Sequence, residues 1–324
     1  MEEVLPGLYR IEIPLPENPL KYLNSYVLKS EDRNLIIDTG LNQQECLEAM
    51  EAGLQAIGVD LGRTDIFITH LHADHFGLVS KLARPDSTTV FFNRPDKEII
   101  ESPIGWEPMI SYAGLSGFPE DQLRAALMNH PGYKYKPEWI PELNVLVEGD
   151  VIEVGDYRLR CIETPGHTLG HICLYDDAKK LLIAGDHILI DITPNIQCWS
   201  DRENSLQNYL NSLDKVFDLE VDLVLPGHRR LFPYFRERIE ELKRHHNRRA
   251  DEILSILTSG SQNAFQIASQ MSWDINYAHW DLFPVSQKWF ATGEAIAHLR
   301  YLEEKKIIFR EENDQGIAFS IRRH

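Results

Sequence analysis

Residues 65–80 read DIFITHLHADHFGLVS. The β-branched and aromatic run DIFIT leads straight into His70, His72, Asp74 and His75. Such a run predicts a buried strand, and the polar cluster then falls at the strand end, where α/β sheets place their sites. A lone histidine would read as a packing or surface residue. Three imidazoles and a carboxylate within positions 70–75 read instead as metal ligands. Zinc takes histidine nitrogen and aspartate oxygen readily, and catalytic sites mix the two.

Three more stretches repeat the pattern further along. TPGHTLGH (164–171) puts His167 on a Pro-Gly turn after a strand-like run, LLIAGDHI (181–188) puts Asp186 at the end of another, and LVLPGHRR (223–230) does the same for His228. Each ligand-type residue follows an apolar run and sits in a tight glycine-containing turn, which is how a rigid scaffold gathers distant residues at one edge. The pooled set of five histidines and two aspartates suffices for two metal ions sharing one carboxylate. His171 and His187 adjoin these residues, so a supporting role is open to them beside the more ordinary packing one. His130, His245, His246, His279, His298 and His324 read as packing or surface residues.

Between these stretches the chain alternates strands and helices. LYRIEI, NSYVLKS and NLIID read as strands, with a turn at 31–34. A helix follows, with Asn42 and Glu45 as a capping box and Leu47, Met50, Leu54 and Ile57 at helical spacing. TTVFF closes a β–α–β step. Residues 93–141 break the rhythm: proline-rich and aromatic, without a clear strand, they read as an inserted helical cap. Some of its aromatic and methionine side chains are candidates to line an apolar pocket. Strands return as VLV, VIEV, YRLRCIET, HICLYDD and KLLIAGD, then a helix near 203–217 and the strand VDLVLPGH. The pattern is two sheets covered by helices, an α/β fold. Residues 232–324 differ: a long amphipathic helix, two more helices, and a hairpin turning at 313–316. Three helices and a β-ribbon form a winged-helix-like arrangement, so the expected division is 1–231 and 232–324.

Composition narrows the function classes. The 324 residues carry a net charge of −17, which on average repels nucleic acid. The segment 229–249 runs the other way, with eight Lys/Arg against three Glu. It is open to two readings, a solvated helix face or an anion-binding stretch. No apolar run reaches the length of a membrane span, and the acidic N-terminus lacks an export signal. Cys46, Cys161, Cys173 and Cys198 form no CxxC pair, so disulfides and zinc knuckles are not expected, and a cytoplasmic location is.

The ordered set His70-x-His72-x-Asp74-His75, His167, Asp186 and His228 resembles the metallo-β-lactamase superfamily, more closely its glyoxalase II-like hydrolases. The resemblance covers about residues 4–232 and implies an αββα sandwich with metals at one sheet edge. It implies that His70, His72 and His167 hold one ion, that Asp74, His75 and His228 hold the second, and that Asp186 bridges them. Asp38 matches a position that supports the metal loop from behind. The implied cofactors are two divalent ions, zinc first, with iron or manganese compatible with the same donors. Such a pair makes a bridging hydroxide near neutral pH, which Asp74 can orient as the catalytic residue.

Fold alone does not choose a substrate. The expectation is hydrolysis of a small thioester, ester or lactone, on an anionic carrier such as glutathione or coenzyme A. The C-terminal tail resembles that of lactamase-β-like proteins, some of which cleave single-stranded RNA, so an RNA phosphodiesterase is the first alternative. A persulfide dioxygenase with one iron is the second. A regulator that binds DNA through the tail and senses metal or ligand is the third. The helix near 286–304 mixes Lys288 and Arg300 with Glu294, Glu303 and Glu304. That composition disfavours a phosphate-facing helix, so a structural or dimerising role is expected for the tail.

Overall fold

In the computed structural model, which describes residues 1–275, 277–314 and 316–322, the first seven strands form one sheet in chain order. They are β1 (Glu2–Leu5), β2 (Leu8–Pro14), β3 (Tyr22–Leu28), β4 (Asn34–Ile37), β5 (Thr64–Phe67), β6 (Val90–Asn93) and β7 (Leu143–Leu146). Pairing is antiparallel from β1 to β4 and parallel from β4 to β7. The second sheet holds β8 (Val151–Val154), β9 (Tyr157–Glu163), β10 (Ile172–Asp176), β11 (Leu181–Gly185) and β12 (Leu223–Pro226). Its order is β12-β11-β10-β9-β8, with β11 and β12 parallel. The acidic β1 carries no alternating apolar signal and was not expected from the sequence.

Period-two alternation decides which face each side chain takes. Leu35 and Ile37 of β4 and Phe67 of β5 meet Leu159, Cys161, Leu174 and Ile183 between the sheets. Their neighbours Ile36, Ile66 and Ile68 point outward, under Met50, Leu54 and Ile57 of α1 (Gln44–Ile57). The short helices α2 (Ala73–Phe76) and α3 (Val79–Leu82) follow β5. The outer face of the second sheet packs against α8 (Ser205–Phe217) through Leu206, Tyr209, Leu213 and Val216. The order of layers is helix, sheet, sheet, helix, as expected.

The insert is helical: α4 (Arg94–Glu101), α5 (Glu107–Leu115), α6 (Glu120–Asn129) and α7 (Pro131–Lys134). C-terminal to the sheets come α9 (Phe235–Leu257), α10 (Ala264–Ala268), α11 (Val285–Glu304) and the hairpin of β13 (Ile308–Asn313) and β14 (Gly316–Ile321). Gln315 of the expected turn, and His324, lie outside the described residues. Ile239, Leu242, Ile253 and Leu257 of α9, Leu299 of α11 and Phe319 of β14 share one apolar cluster with Tyr175, Leu182 and Val224 of the second sheet.

One local expectation changes. Asn42 does not cap α1: Gln43 stands at the N-cap without a side-chain bond, and Asn42 Nδ2 donates to the Lys136 oxygen instead. The basic stretch 229–249, open to two readings, keeps Arg230, Arg236, Arg244 and Arg248 exposed as on a solvated face, while several of its cations also bond within the chain. Arg236 donates to the oxygens of Phe217 and Leu219, Arg238 to those of Leu189 and Ile192, and Lys243 pairs with Asp214. The four cysteines are free and buried. No helix among the described residues is long and apolar enough to cross a membrane.

Because α9 and the second sheet share a core, Ile253→Ala should destabilise the whole chain by about 2–5 kcal/mol. Circular dichroism and tryptophan fluorescence should report one shared denaturant transition. A separate early transition confined to one probe would show that the C-terminal helices melt alone.

Candidate metal centre

The parallel strands β4 and β5 end side by side, and their last residues begin the site. Asp38, just past β4, adopts a left-handed backbone (φ 60°) and turns its carboxylate toward the end of β5. Its Oδ1 accepts from the Thr69 amide at 2.8 Å, and its Oδ2 lies 2.8 Å from His75 Nδ1. Thr39 donates through both its amide and its hydroxyl to the His75 oxygen, each at 2.7 Å. The histidine loop is therefore fixed from behind by β4.

The other sheet supplies the rest. Ile172 N donates to the Thr69 oxygen at 3.0 Å, and Gly227 N donates to the Gly185 oxygen at 2.8 Å. Asn24 of β3 binds the end of β12, its Nδ2 donating to the oxygens of Pro226 and Arg229. A Cβ at residue 227 would come within 2.5 Å of Asp186 Oδ1, so glycine there lets the two loops close. All seven expected residues meet at this edge.

They form two overlapping clusters. In the first, His72 Nδ1 lies 3.0 Å from His70 Nε2 and 2.9 Å from His167 Nε2. In the second, His228 Nε2 lies 3.3 Å from Asp74 Oδ2, and His75 Nε2 lies 3.9 Å from the same oxygen. Asp186 stands between them: Oδ1 is 3.6 Å from His75 Nε2, and Oδ2 is 3.6 Å from His167 Nε2 and 3.5 Å from His228 Nε2. These triads can each hold a metal ion.

Hydrogen bonding on the far nitrogen fixes what each ring presents. His167 Nδ1 donates to the Asn195 oxygen at 2.9 Å, and His228 Nδ1 to the Tyr22 oxygen at 2.8 Å. His75 Nδ1 is held by Asp38. His70 Nδ1 meets Thr69 Oγ1 at 3.0 Å, and that hydroxyl also lies 2.9 Å from Asp38 Oδ2. Four Nε2 atoms are thus aimed inward, those of His70 and His167 toward His72 and those of His75 and His228 toward the carboxylates. His72 Nδ1 has one proton at most, so it cannot satisfy both its neighbours. His75 Nε2, His228 Nε2 and Asp186 Oδ1 are buried without a hydrogen-bond partner. Orphaned buried polar atoms cost about 1–3 kcal/mol each. Divalent ions about 2 Å from such donors remove that cost, so the donor set fits a metal.

Electrostatics divides the clusters. Burial, with the neighbouring imidazoles, pushes His70 well down and His72 down to about 3; burial also lowers His167. These rings stay neutral and available. Burial opposes a charge on His228 as well, but Asp186 and Asp74 outweigh it and raise the ring to about 10. His75 is raised in the same way by Asp38, Asp186 and Asp74. Metal uptake at the second cluster therefore displaces protons.

His171 takes the supporting place rather than the packing one: its Nε2 accepts from the Asp186 amide at 3.1 Å, and Thr164 Oγ1 holds its other nitrogen at 2.8 Å. His187 is buried beside Tyr209, with neither ring nitrogen hydrogen-bonded. Asp96 was missed by sequence reasoning. From the first turn of α4 its carboxylate accepts from Leu71 N, Thr168 Oγ1 and Gly170 N, each at 2.9 Å. It thereby clamps the His70–His72 loop to the His167 loop. Burial raises this carboxyl to about 6 against the pull of those bonds. In the sequence Asn93 and Asp96 suggest only a helix start, which they also make, Asn93 accepting from Asp96 N.

Removing Asp96 strands four donors, Asn93 Nδ2 among them. Asp96→Ala should cost about 3 kcal/mol of stability in metal-free protein, read by chemical denaturation with chelator present. A loss below about 0.5 kcal/mol would show that the loops do not need the clamp.

A sequence model of the metallo-β-lactamase superfamily matches residues 20–228, and one of the metallo-β-lactamase-like C-terminal domain matches 280–320. The chain is 25% identical to the probable metallo-hydrolase YqjP of Bacillus subtilis, over 87% of this chain and 88% of that one. It is 25% identical to the human acyl-coenzyme A thioesterase MBLAC2, over 63% of this chain and 72% of that one. The crystal structure of a metallo-β-lactamase family protein from Thermus thermophilus superposes with a TM-score of 0.83 at 29% identity, covering 99% of this chain and 100% of that one. With helix–sheet–sheet–helix layers and the histidine–aspartate cluster at their edge, this chain belongs to the metallo-β-lactamase superfamily.

Proposed function

We propose that the protein is a dimetal hydrolase of a small acyl substrate, a thioester before an ester or lactone. The observation that carries this reading is the set of four Nε2 atoms, each on a ring fixed by a partner at the opposite nitrogen, gathered around the Asp186 carboxylate. His70, His72 and His167 would hold one ion, Asp74, His75 and His228 the other, and Asp186 would touch both. Bound divalent ions, zinc before iron or manganese, would supply an activated water near neutral pH and polarise the acyl carbonyl. Asp74, partly open to solvent, is the carboxylate placed to orient that water. Leu169, exposed on the loop that carries His167, offers an apolar contact to the acyl group.

The thioester preference draws on the likeness to MBLAC2. The anionic carrier, coenzyme A or glutathione, rests on that likeness alone: the open cleft after His228 holds Asp191, Glu237 and Glu241 beside Arg230 and Arg238, and Arg230 is paired with Asp191. The RNA and DNA alternatives fare worse. The charge is −17, and many cations of 229–249 are engaged within the chain. Every residue of α11 from 291 to 299 is buried, which leaves no helix face there for a groove. We place the boundary of the catalytic fold at 231/232 and read the C-terminal helices as its support.

The test pairs metal content, measured on protein purified without added metal, with a substrate panel. Acyl-coenzyme A and acyl-glutathione thioesters, esters, lactones and short RNA form the panel. Expected are two divalent ions per chain, thioester turnover, and a loss of at least about a hundredfold in Asp186→Ala and in His72→Ala. One iron per chain, no metal uptake, or turnover that survives both substitutions would overturn the proposal.

A further inference from the structure

His167 is held from a part of the chain remote in sequence. The main-chain oxygen of Asn195 accepts its Nδ1 proton, and Asn195 is in turn tied to α11. Asn195 Nδ2 donates to Glu294 Oε2 at 2.7 Å. Three residues on, Cys198 N donates to the Gly293 oxygen at 3.1 Å. Trp199 then stacks on Trp289, with ring centroids 4.2 Å apart. A Cβ at residue 293 would come within 2.9 Å of the Trp199 ring, so that closeness requires glycine. Trp289 and Gly293 lie one helical turn apart on α11, and with the adjacent Glu294 they contact residues 195–199.

Glu294 is itself immobilised. It is buried, and Arg249 Nε of α9 reaches its Oε1 at 3.3 Å. Arg249 stacks over Trp273 at 4.2 Å and also binds Glu252 at 2.8 Å. A planar guanidinium with these partners holds a carboxylate in one orientation. The sequence of contacts runs Arg249, Glu294, Asn195, His167, from the C-terminal helices to the first cluster.

We propose that Glu294 is a positioning residue for the metal centre: through Asn195 it fixes the ring orientation of His167. This rests on the reading of His167 as a metal ligand. A partner on the far nitrogen of a ligating imidazole sets its tautomer and aim, and losing one typically weakens metal binding tenfold to a hundredfold. Here the partner is a carbonyl in a segment without regular structure, so its position is only as good as what holds the segment. That role accounts for the C-terminal helices without a ligand of their own.

The test uses the full chain with zinc and cobalt(II) as probes. Affinity comes from competition with a chromophoric chelator, and ligand geometry from the visible spectrum of the cobalt form. Glu294→Ala should weaken binding about tenfold or more and alter the cobalt bands. Asn195→Asp, which sets two carboxylates against each other, should do the same. Combining Asn195→Asp with Glu294→Gln restores the bond with donor and acceptor exchanged, and should recover affinity and spectrum. Ile253→Val, in the same core, should lower Tm and leave both readouts unchanged. Wild-type affinity and spectrum in Glu294→Ala, or an equal loss in Ile253→Val, would overturn the proposal. If Glu294→Ala does not fold, failure of the exchanged pair to recover what Asn195→Asp loses overturns it equally. A wild-type chain that takes up no metal would sink the metal reading itself, whatever the variants do.

Discussion

The buried carboxylate of Asp38 is the interaction on which the site depends. It spans two adjacent parallel strand ends, gripping the Thr69 amide with one oxygen and the His75 ring with the other. To do so the backbone at Asp38 sits at φ 60°, a conformation that costs a non-glycine residue about 1–3 kcal/mol. Charge-assisted hydrogen bonds in a dry setting offset that cost. Every residue from His70 to His75 follows this anchor in the chain, so their aim is inherited from it. A strand end alone would leave the loop free to turn.

The second sheet is joined to that anchor by backbone and side-chain hydrogen bonds outside the histidine–aspartate cluster. The Thr69 oxygen receives Ile172 N, and the end of β12 is held by Asn24 and by Tyr26, whose hydroxyl donates to the Pro226 oxygen at 2.8 Å. The loops bearing Asp186 and His228 are thereby set at the same edge by contacts that need no ion. A metal entering such a frame meets donors already placed, and little of its binding free energy goes to ordering the chain. The orphaned atoms His75 Nε2, His228 Nε2 and Asp186 Oδ1 are what that frame leaves open.

The residues gathered at the edge were legible in the sequence because each is encoded locally, as an apolar run followed by a tight turn carrying His or Asp. Their supports were legible only in part. Asp38 stood out through the resemblance, and His171 through its adjacency to the His167 turn. Asp96 and Glu294 did not, because their partners Leu71 and Asn195 lie 25 and 99 residues away and nothing local marks the carboxylates as buried. The Asn42–Glu45 pattern failed for a related reason: a tertiary partner, the Lys136 oxygen, took the Asn42 side chain. The same kind of pattern held at Asn263 and Gln266, where the capping box forms around α10. The basic stretch 229–249 looked like a patch because sequence shows charge without its partners. Arg229, Arg236 and Arg238 instead finish helix ends and loops.

The buried Arg249–Glu294 pair needs a reason beyond stability. Ion pairs taken out of water gain little or nothing over apolar residues of similar volume, because desolvation consumes the attraction. Two apolar side chains at 249 and 294 would seal the C-terminal core at least as well. What they could not do is accept the Asn195 amide, at 2.7 Å, from a fixed direction. Asn195 would then have neither of its side-chain groups bonded, since its Oδ1 is already without a partner. The 195–199 segment would keep its tryptophan stack but lose its polar anchor, and the carbonyl that aims His167 would drift with it. The polar pair therefore stays where a hydrocarbon pair would pack, because the core of the C-terminal helices serves orientation at the metal edge as well as cohesion.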